Sequence, residues 1–254
     1  MDRVYNQPRY YEIAFSYRDI PKETTVLEQA AALFSHIPVR SVLEFACGNS
    51  PHMVELLQRG YRYTGIDINP EMLAYSQKKA ANAGFAVDLI QANLVDIRLP
   101  APVDLAYTML GSLYVRTTAE LKAHFLSAAH NLRPGGLYFL DWCVDFSPLN
   151  DSVDHWRTRR GSTRVSVRYS TAHLNSVEQT FTETLHLTIH EDDDVFEIQD
   201  STVRRAIYPQ EFRILIDSLD DFEFVGWYNN WNLRQPLTGD ENPIARPITI
   251  IRRV

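Results

Sequence analysis

Cysteine is scarce in this sequence, and long apolar runs are missing. Two of its 254 residues are cysteines, Cys47 and Cys143, too few for a disulfide framework or a clustered zinc site, so we expect two buried side chains and no metal. No window approaches the ~18 uncharged apolar residues of a membrane helix, and charges and tyrosines stand where a signal peptide would be apolar. These absences predict a cytoplasmic protein with no membrane partner.

An excess of basic residues is missing as well. The formal net charge is -7 at pH 7, whereas a surface that follows a phosphate backbone is normally basic. We therefore expect no nucleic-acid partner and favour a small-molecule partner.

Apolar runs alternate with helical patterns through the first 145 residues. We predict strands at 41–45, 61–67, 86–91, 103–109 and 136–142, and helices at 22–34, 51–59, 70–83 and 118–131. Alternation of this kind is typical of a parallel sheet with crossover helices.

Changes in this pattern divide the chain into four segments. Residues 1–40 form an N-terminal cap segment and first helix, and 41–150 form the core. Period-two alternation over 151–208 predicts an antiparallel β insertion, which serves as an acceptor lid or as a homodimer contact. Residues 209–254 add a last helix and two strands, joined by a turn at 237–245, that complete the core as an antiparallel edge pair.

The turn after the first predicted strand is short and built of small residues, and Asp67 follows about 20 positions later, where a ribose-chelating acid stands in Rossmann-like folds. A dinucleotide fingerprint aligned on Gly48 would need glycines where Ala46 and Pro51 stand. The turn also has no nearby lysine of the kind that binds phosphate in a P-loop. The turn therefore predicts an adenosine ligand without phosphates.

Five segments in order resemble the motifs of the class I S-adenosylmethionine (SAM)-dependent methyltransferases. They are VLEFACGNS, TGIDINPEML, QANLVDIRLP, VDLAYTMLGSLYVRT and NLRPGGLYFLDW. The resemblance implies an α/β fold with a Rossmann-like, mostly parallel sheet of seven strands and an antiparallel β insertion after the fifth strand. It also implies SAM as cofactor and S-adenosylhomocysteine (SAH) as product.

The first motif departs from the family's usual (D/E)-x-G-x-G-x-G because Ala46 and Ser50 replace two glycines. Alanine is compatible with a close backbone approach only where φ is negative, so we expect a negative φ at Ala46. We expect Ser50 to cap a helix that begins at Pro51.

The resemblance also implies roles for residues of the motifs. Glu44 would organise the first loop near the sulfonium, while Ala46 and Gly48 would let the backbone pass close to the methionine part. Asp67 would accept both ribose hydroxyls, and Ile68 would pack on one face of the adenine.

Three further motif residues and an N-terminal segment complete the implied site. Asn93 and the backbone of Leu94 would read the adenine edge, and Met109 would lie under the ligand. The segment YYEIAFSYRDIP resembles one that closes over the cofactor in small-molecule N-methyltransferases of this class, which places Tyr11, Tyr17 and Arg18 near the methionine carboxylate or the acceptor. Tyr17 is the candidate catalytic residue, and His52 and His155 are further titratable candidates.

The predicted function is methyl transfer to a nitrogen or oxygen of a small molecule. Methylation of a macromolecule is an alternative, disfavoured by the acidic balance and by TMLGS in place of an N-P-P-Y-like tetrapeptide at the fourth motif. A non-catalytic SAM-binding or regulatory module is a second alternative, motivated by the altered glycines. A nicotinamide oxidoreductase is a third, and Pro51 argues against it.

Overall fold

A computed structural model describes residues 3–148, 150–239 and 243–254 and contains two sheets. After a 3-10 turn at Val4–Asn6, the first half contains α1 (Pro8–Ala14), α2 (Ile20–Phe34), β1 (Ser41–Phe45), α3 (Met53–Gln58), β2 (Arg62–Asp67), α4 (Pro70–Asn82), β3 (Asp88–Gln91), β4 (Val103–Thr108), α5 (Thr118–Asn131) and β5 (Leu132–Asp141). The second half contains β6 (Ser152–Arg160), β7 (Thr163–Asn175), β8 (Thr180–Glu191), β9 (Asp194–Arg205), α6 (Pro209–Asp217), β10 (Phe222–Asn229), β11 (Asn232–Pro236) and β12 (Pro247–Arg253).

The main sheet has the strand order β11-β10-β12-β5-β4-β1-β2-β3. Strands β1 to β5 run parallel, and β12 pairs antiparallel with both β5 and β10. This confirms the predicted α/β fold with a mostly parallel, Rossmann-like sheet. In the described residues the main sheet has eight strands rather than seven, because β11 adds a short hairpin edge. Its mostly exposed sequence ends in proline and lacks the apolar alternation that marks a strand.

The central strands are fully buried because helices cover both faces of the sheet. Every residue of β1 and of β4 is buried, as expected for apolar runs in a parallel sheet. One core cluster includes Phe45, Phe125 and Phe212, and a second includes Leu27, Tyr107 and Ile248. The carboxyl ends of β1 to β5 therefore lie along one edge of a rigid layer.

Side chains cap several helices, although Ser50 does not. Asp19 caps α2, Asn69 caps α4, and Thr117 forms a capping box at α5. The third helix begins at Met53 rather than Pro51, and its N-cap position is His52, without a side-chain hydrogen bond. The predicted capping role of Ser50 was therefore wrong, because the loop continues for two more residues before the helix starts.

The second sheet is an antiparallel array in the order β6-β7-β8-β9. One face packs Val167, Leu187 and Ile189 against Ile13 and Ala14 of the N-terminal segment. The indole N–H of Trp156 donates to the Ala14 carbonyl at 2.7 Å. The N-terminal segment and the second sheet thus pack together, and the boundaries drawn between the four segments stay predictions.

Two expectations about the rest of the chain concern the cysteines and the last turn. Both cysteines are buried and free, as predicted. The predicted turn at 237–245 includes residues 240–242, which lie outside the described residues. Among the described helices none is long and apolar enough to cross a membrane.

Candidate active site

A cavity of about 1,020 Å³ opens at the carboxyl ends of the parallel strands. Its wall comes from the loops after β1 to β5, from the N-terminal segment and from the inner face of the second sheet. Ligands of open α/β sheets bind at this edge. The volume lies at the upper end of the range for small-molecule sites, about 300 to 1,000 Å³.

The loop after β1 enters the cavity wall in an unusual backbone conformation. Ala46, Gly48 and Ser50 all have positive φ, at 51°, 51° and 45°. The expectation of a negative φ at Ala46 was therefore wrong, because the turn needs left-handed residues at alternate positions to reverse the chain between β1 and α3. Ala46 and Gly48 line the cavity, and a Cβ added to Gly48 would meet no protein atom within 4 Å.

Asp67 joins this loop to the one after β2. Its carboxylate accepts the backbone N–H of Gly48 at 2.7 Å and that of Asn69 at 2.8 Å, one on each oxygen. Burial raises the pKa of Asp67, and the backbone N–H donors oppose that rise. Each carboxylate oxygen keeps a further lone pair, so the side chain can still accept from hydroxyl groups of a ligand.

The neighbouring Ile68 is not a core residue. Its side chain is 69% exposed and lines the cavity, whereas an apolar side chain at a strand end is usually buried. An exposed apolar surface beside the Asp67 carboxylate fits a ligand that combines a flat ring with hydroxyl groups.

Asn93 and Leu94 form the part of the wall that follows β3. The Asn93 side-chain oxygen accepts the N–H of Val95 at 3.2 Å. The Leu94 carbonyl accepts from Nδ1 of buried His124 at 3.0 Å, while Nε2 of the same ring accepts the Tyr138 hydroxyl at 2.7 Å. Burial lowers the pKa of His124 to about 4, so this ring is neutral and holds the loop in place.

Glu44 and Met109 do not reach the wall formed by the described residues. Glu44 is 2% exposed and accepts the hydroxyls of Tyr63 and Tyr107, the latter at 3.0 Å. His52 lies 3.8 Å from its other oxygen. Glu44 thus stands beneath the first loop, and Met109 belongs to the core cluster that contains Tyr107.

The structure separates the three N-terminal candidates. Tyr11 and Tyr17 line the cavity together with Phe15. Arg18 does not line it among the described residues, because its guanidinium is paired with Glu23 and its side chain is 5% exposed. Burial alone would raise the pKa of Glu23, but hydrogen bonds from His52 and Arg18 lower it to about 2. The expected contact of Arg18 with the methionine carboxylate or acceptor is therefore not supported by its position.

Tyr17 is poorly suited to take a proton. Burial raises its pKa, and the guanidinium groups of Arg246 and Arg18 offset only part of that rise. Its hydroxyl is therefore protonated at neutral pH. The ring lies 6.1 Å from that of Trp156 and 6.3 Å from that of Phe15, in an aromatic row along the wall. Neither of the histidine candidates, His52 and His155, lines the cavity in the described part of the chain.

A polar cluster in the cavity wall was not predicted from the sequence. Glu183 accepts the hydroxyls of Tyr114 and Tyr169, each at 2.7 Å. Arg204 lies 3.5 Å from Glu183 and 3.9 Å from Asp145. One signal was available, because the β8 pattern places Glu183 on the same strand face as Phe181, Leu185 and Leu187.

The wall of the cavity is acidic overall. Among the described lining residues, six are carboxylates and three are arginines, with no lysine or histidine. The carboxylates are Asp67, Glu120, Asp145, Asp154, Glu183 and Asp200, and the arginines are Arg3, Arg116 and Arg204. Such a wall favours a neutral or cationic ligand over an anionic one.

Comparisons with known proteins agree with this geometry. Residues 42–136 match the methyltransferase domain family. A dTDP-3-amino-3,4,6-trideoxy-alpha-D-glucopyranose N,N-dimethyltransferase from Streptomyces venezuelae is 29% identical over 102 residues, which are 40% of this chain and 41% of that protein. The match thus spans about two fifths of this curated relative.

Two solved structures share the fold over nearly the whole chain. A SAM-dependent methyltransferase from Clostridium acetobutylicum has a TM-score of 0.76 at 13% identity, covering 96% of this chain and 95% of that one. SAM-bound CalS10, an amino pentose methyltransferase from Micromonospora echinaspora, has a TM-score of 0.74 at 17% identity and covers 96% of each chain. Residues 42–136 are therefore similar to a methyltransferase domain, and the chain shares the fold of these methyltransferase structures over nearly its whole length.

Proposed function

We propose that this protein transfers a methyl group from SAM to a nitrogen or oxygen of a small molecule, with nitrogen favoured. The observation that carries the proposal is a continuous cavity, which joins the loops after β1, β2 and β3 to the inner face of the second sheet. Its volume of about 1,020 Å³ gives room for a cofactor and an acceptor side by side.

The residues at the sheet edge fit SAM. The left-handed turn at Ala46 and Gly48 leaves open space above the backbone, Asp67 has lone pairs for two ribose hydroxyls, and Ile68 offers an apolar face for the adenine. Asn93 and Leu94 line the same cavity, and we assign the Asn93 side chain and the Leu94 backbone the contact with the adenine edge. SAM supplies a methyl group on a positively charged sulfur.

The chain's own contribution to the reaction is alignment and exclusion of water. A methyl transfer is an in-line displacement, so the acceptor atom must lie opposite the sulfur on the methyl axis. The N-terminal segment and the second sheet cover the cavity, and Tyr11, Tyr17 and Trp156 give that cover an aromatic inner surface. We assign Tyr17 a contact with the acceptor through its ring or its protonated hydroxyl.

Nitrogen is favoured over oxygen for two reasons. The names of two relatives state an N,N-dimethyltransferase and an amino pentose methyltransferase. The acidic wall, moreover, attracts an amine, which is cationic in solution, more strongly than a neutral hydroxyl compound.

Three further features belong to the same proposal. The acceptor is a small molecule rather than a nucleic acid, on the grounds of net charge. The protein acts in the cytoplasm, on the grounds that its two cysteines are free. The exposed edges of the second sheet are the proposed contact of a homodimer.

Thermal melting with SAM, SAH and NADH in parallel tests the cofactor, because a ligand that binds the native state raises its melting temperature. We expect shifts with SAM and SAH and none with NADH. A shift with NADH alone would contradict the proposal. Formation of SAH with a panel of small amines and phenols then tests turnover, and binding of SAM with no SAH formed from any acceptor would favour the regulatory module.

A further inference from the structure

The cluster around Arg204 lies in the part of the cavity wall that the second sheet and the loops after β4 and β5 form. Three separate parts of the chain build it: Asp145 follows β5, Glu183 belongs to β8, and Arg204 belongs to β9. A hydrogen bond from Arg204 to the Gly111 carbonyl ties it to the loop after β4. All four residues line the cavity, so the cluster faces the space left beside a cofactor at the sheet edge.

The charges of this cluster do not balance. Two carboxylates face one guanidinium, and all three side chains are largely buried, with exposures of 17% for Asp145, 11% for Glu183 and 10% for Arg204. The aromatic groups around them are Phe181, whose ring centre lies 4.9 Å from the guanidinium carbon, and Tyr114, at 5.7 Å. A buried carboxylate without a cationic partner is costly, so the cluster lacks one positive charge.

Asp145 is the carboxylate with the weaker partners. Glu183 accepts two tyrosine hydroxyls as well as facing Arg204. The Oδ2 atom of Asp145 accepts the Ile207 N–H at 3.1 Å, and among the described residues its Oδ1 has only the 3.9 Å contact with Arg204. The Nε atom of Arg204 is buried and has no hydrogen-bond partner in the described part of the chain. The protein thus leaves Asp145 Oδ1 available to a ligand of the cavity that Asp145 lines.

We propose that the space between Asp145 and Glu183 is the acceptor subsite and that it takes an alkylamine as its ammonium ion. This inference rests on the proposed function and adds to it a charge state for the acceptor and a residue that receives its proton. The ammonium supplies the missing positive charge and donates to Asp145 Oδ1.

The proton step then follows within the dry site. The N–H bond of the ammonium breaks, the proton moves to Asp145 Oδ1, and the electron pair stays on nitrogen. The nitrogen uses that pair to bond the methyl carbon while the carbon–sulfur bond breaks and its pair goes to sulfur. Burial raises the pKa of Asp145, Glu183 raises it further, and Arg204 offsets part of the rise. A carboxylate with a raised pKa holds a proton more readily, as this step requires.

The test measures binding to the SAH-saturated protein by calorimetry, with cyclohexylamine as the cationic probe and cyclohexanol as its neutral counterpart. We expect cyclohexylamine to bind and cyclohexanol not to bind. Asp145→Asn keeps the size of the side chain and an oxygen that can accept the Ile207 N–H. This variant should bind cyclohexylamine about tenfold or more weakly than the wild type, as expected for a lost charge pair. Glu183→Gln should weaken the binding of cyclohexylamine as well. The control Asp193→Asn, in the exposed β8–β9 turn, should leave this binding unchanged.

Several outcomes would overturn the inference. They are equal binding of the two probes, no binding of cyclohexylamine, or wild-type affinity in both the Asp145→Asn and Glu183→Gln variants. Calorimetry in two buffers of different ionisation enthalpy adds a second readout, because release of the amine's proton to the buffer would contradict its transfer to Asp145. Failure of SAH itself to bind would instead refute the proposed function, so the two failures are distinguishable.

Discussion

The substitution Ala46→Gly should stabilise the protein, although it removes a side chain. Ala46 has φ = 51°, a left-handed conformation that costs an L-residue with a Cβ about 1.5 kcal/mol. Glycine avoids that cost but gains conformational freedom in the unfolded chain, which costs about 0.7 kcal/mol. The difference predicts a gain of about 0.8 kcal/mol in the free energy of unfolding, or about 2 °C in the melting temperature of a chain of this size.

Urea denaturation followed by circular dichroism measures this gain. The matched control is Ala74→Gly, at an exposed position inside α4, where glycine should cost about 1 kcal/mol because the helix needs no left-handed residue. The two substitutions remove the same atoms, so their opposite signs isolate the backbone term. A loss of stability in Ala46→Gly as large as that in Ala74→Gly would refute the assignment of strain to this turn.

Three other predictions concern the cavity and its support. Asp67→Ala removes the acceptor of the Gly48 and Asn69 amides as well as the proposed ribose contacts. SAH binding measured by calorimetry should therefore weaken by about 2 kcal/mol or more. Wild-type affinity in this variant would show that Asp67 does not contact the ligand. Gly48→Val should abolish SAH binding in a folded protein. Gly84→Val, at another left-handed glycine with open space around it, should keep SAH binding. Equal losses of SAH affinity in the two variants would show that backbone strain alone, rather than a blocked site, weakens binding. His124 has its folded pKa lowered to about 4 from about 6.5, so the unfolded chain binds the proton first and stability falls by about 3 kcal/mol as pH drops from 6.5 to 4. His124→Gln should flatten this pH dependence, and an unchanged slope in denaturation curves would contradict a neutral buried ring.

Much of the cofactor end of the site was predictable from the sequence because it is local. A buried parallel strand needs an apolar run, and the residues that follow it must turn toward a helix, so 42–50 and 64–73 carry both their structure and their ligand chemistry in one short stretch. Ala46, Gly48, Asp67, Ile68, Asn93 and Leu94 were named from such stretches, and the structure brings them to one wall. Their roles toward the cofactor stay proposals.

Some details of the same stretches could not be read from the sequence. The sign of φ at Ala46 depends on how tightly β1 must reverse into α3, which residue type alone does not fix. The position of Arg18 depends on Glu23 and His52, whose carboxylate and imidazole hold it away from the cavity. Competition among several partners for one guanidinium is a property of the folded molecule.

The sequence by itself determined the parallel core, the order of its strands and helices along the chain, and the residues at the edge that we propose binds adenosine, since each follows from hydrophobic period and turn chemistry within about a dozen residues. Only the tertiary structure decided the cluster at which we propose the acceptor binds. Asp145 comes from the loop after β5 of the main sheet, whereas Glu183 and Arg204 come from the adjacent strands β8 and β9 of the second sheet. Nothing in the local sequence around Asp145 marks it as their partner. They meet because the second sheet packs across the carboxyl ends of the first, and burial there turns three ordinary charged residues into an unbalanced cluster.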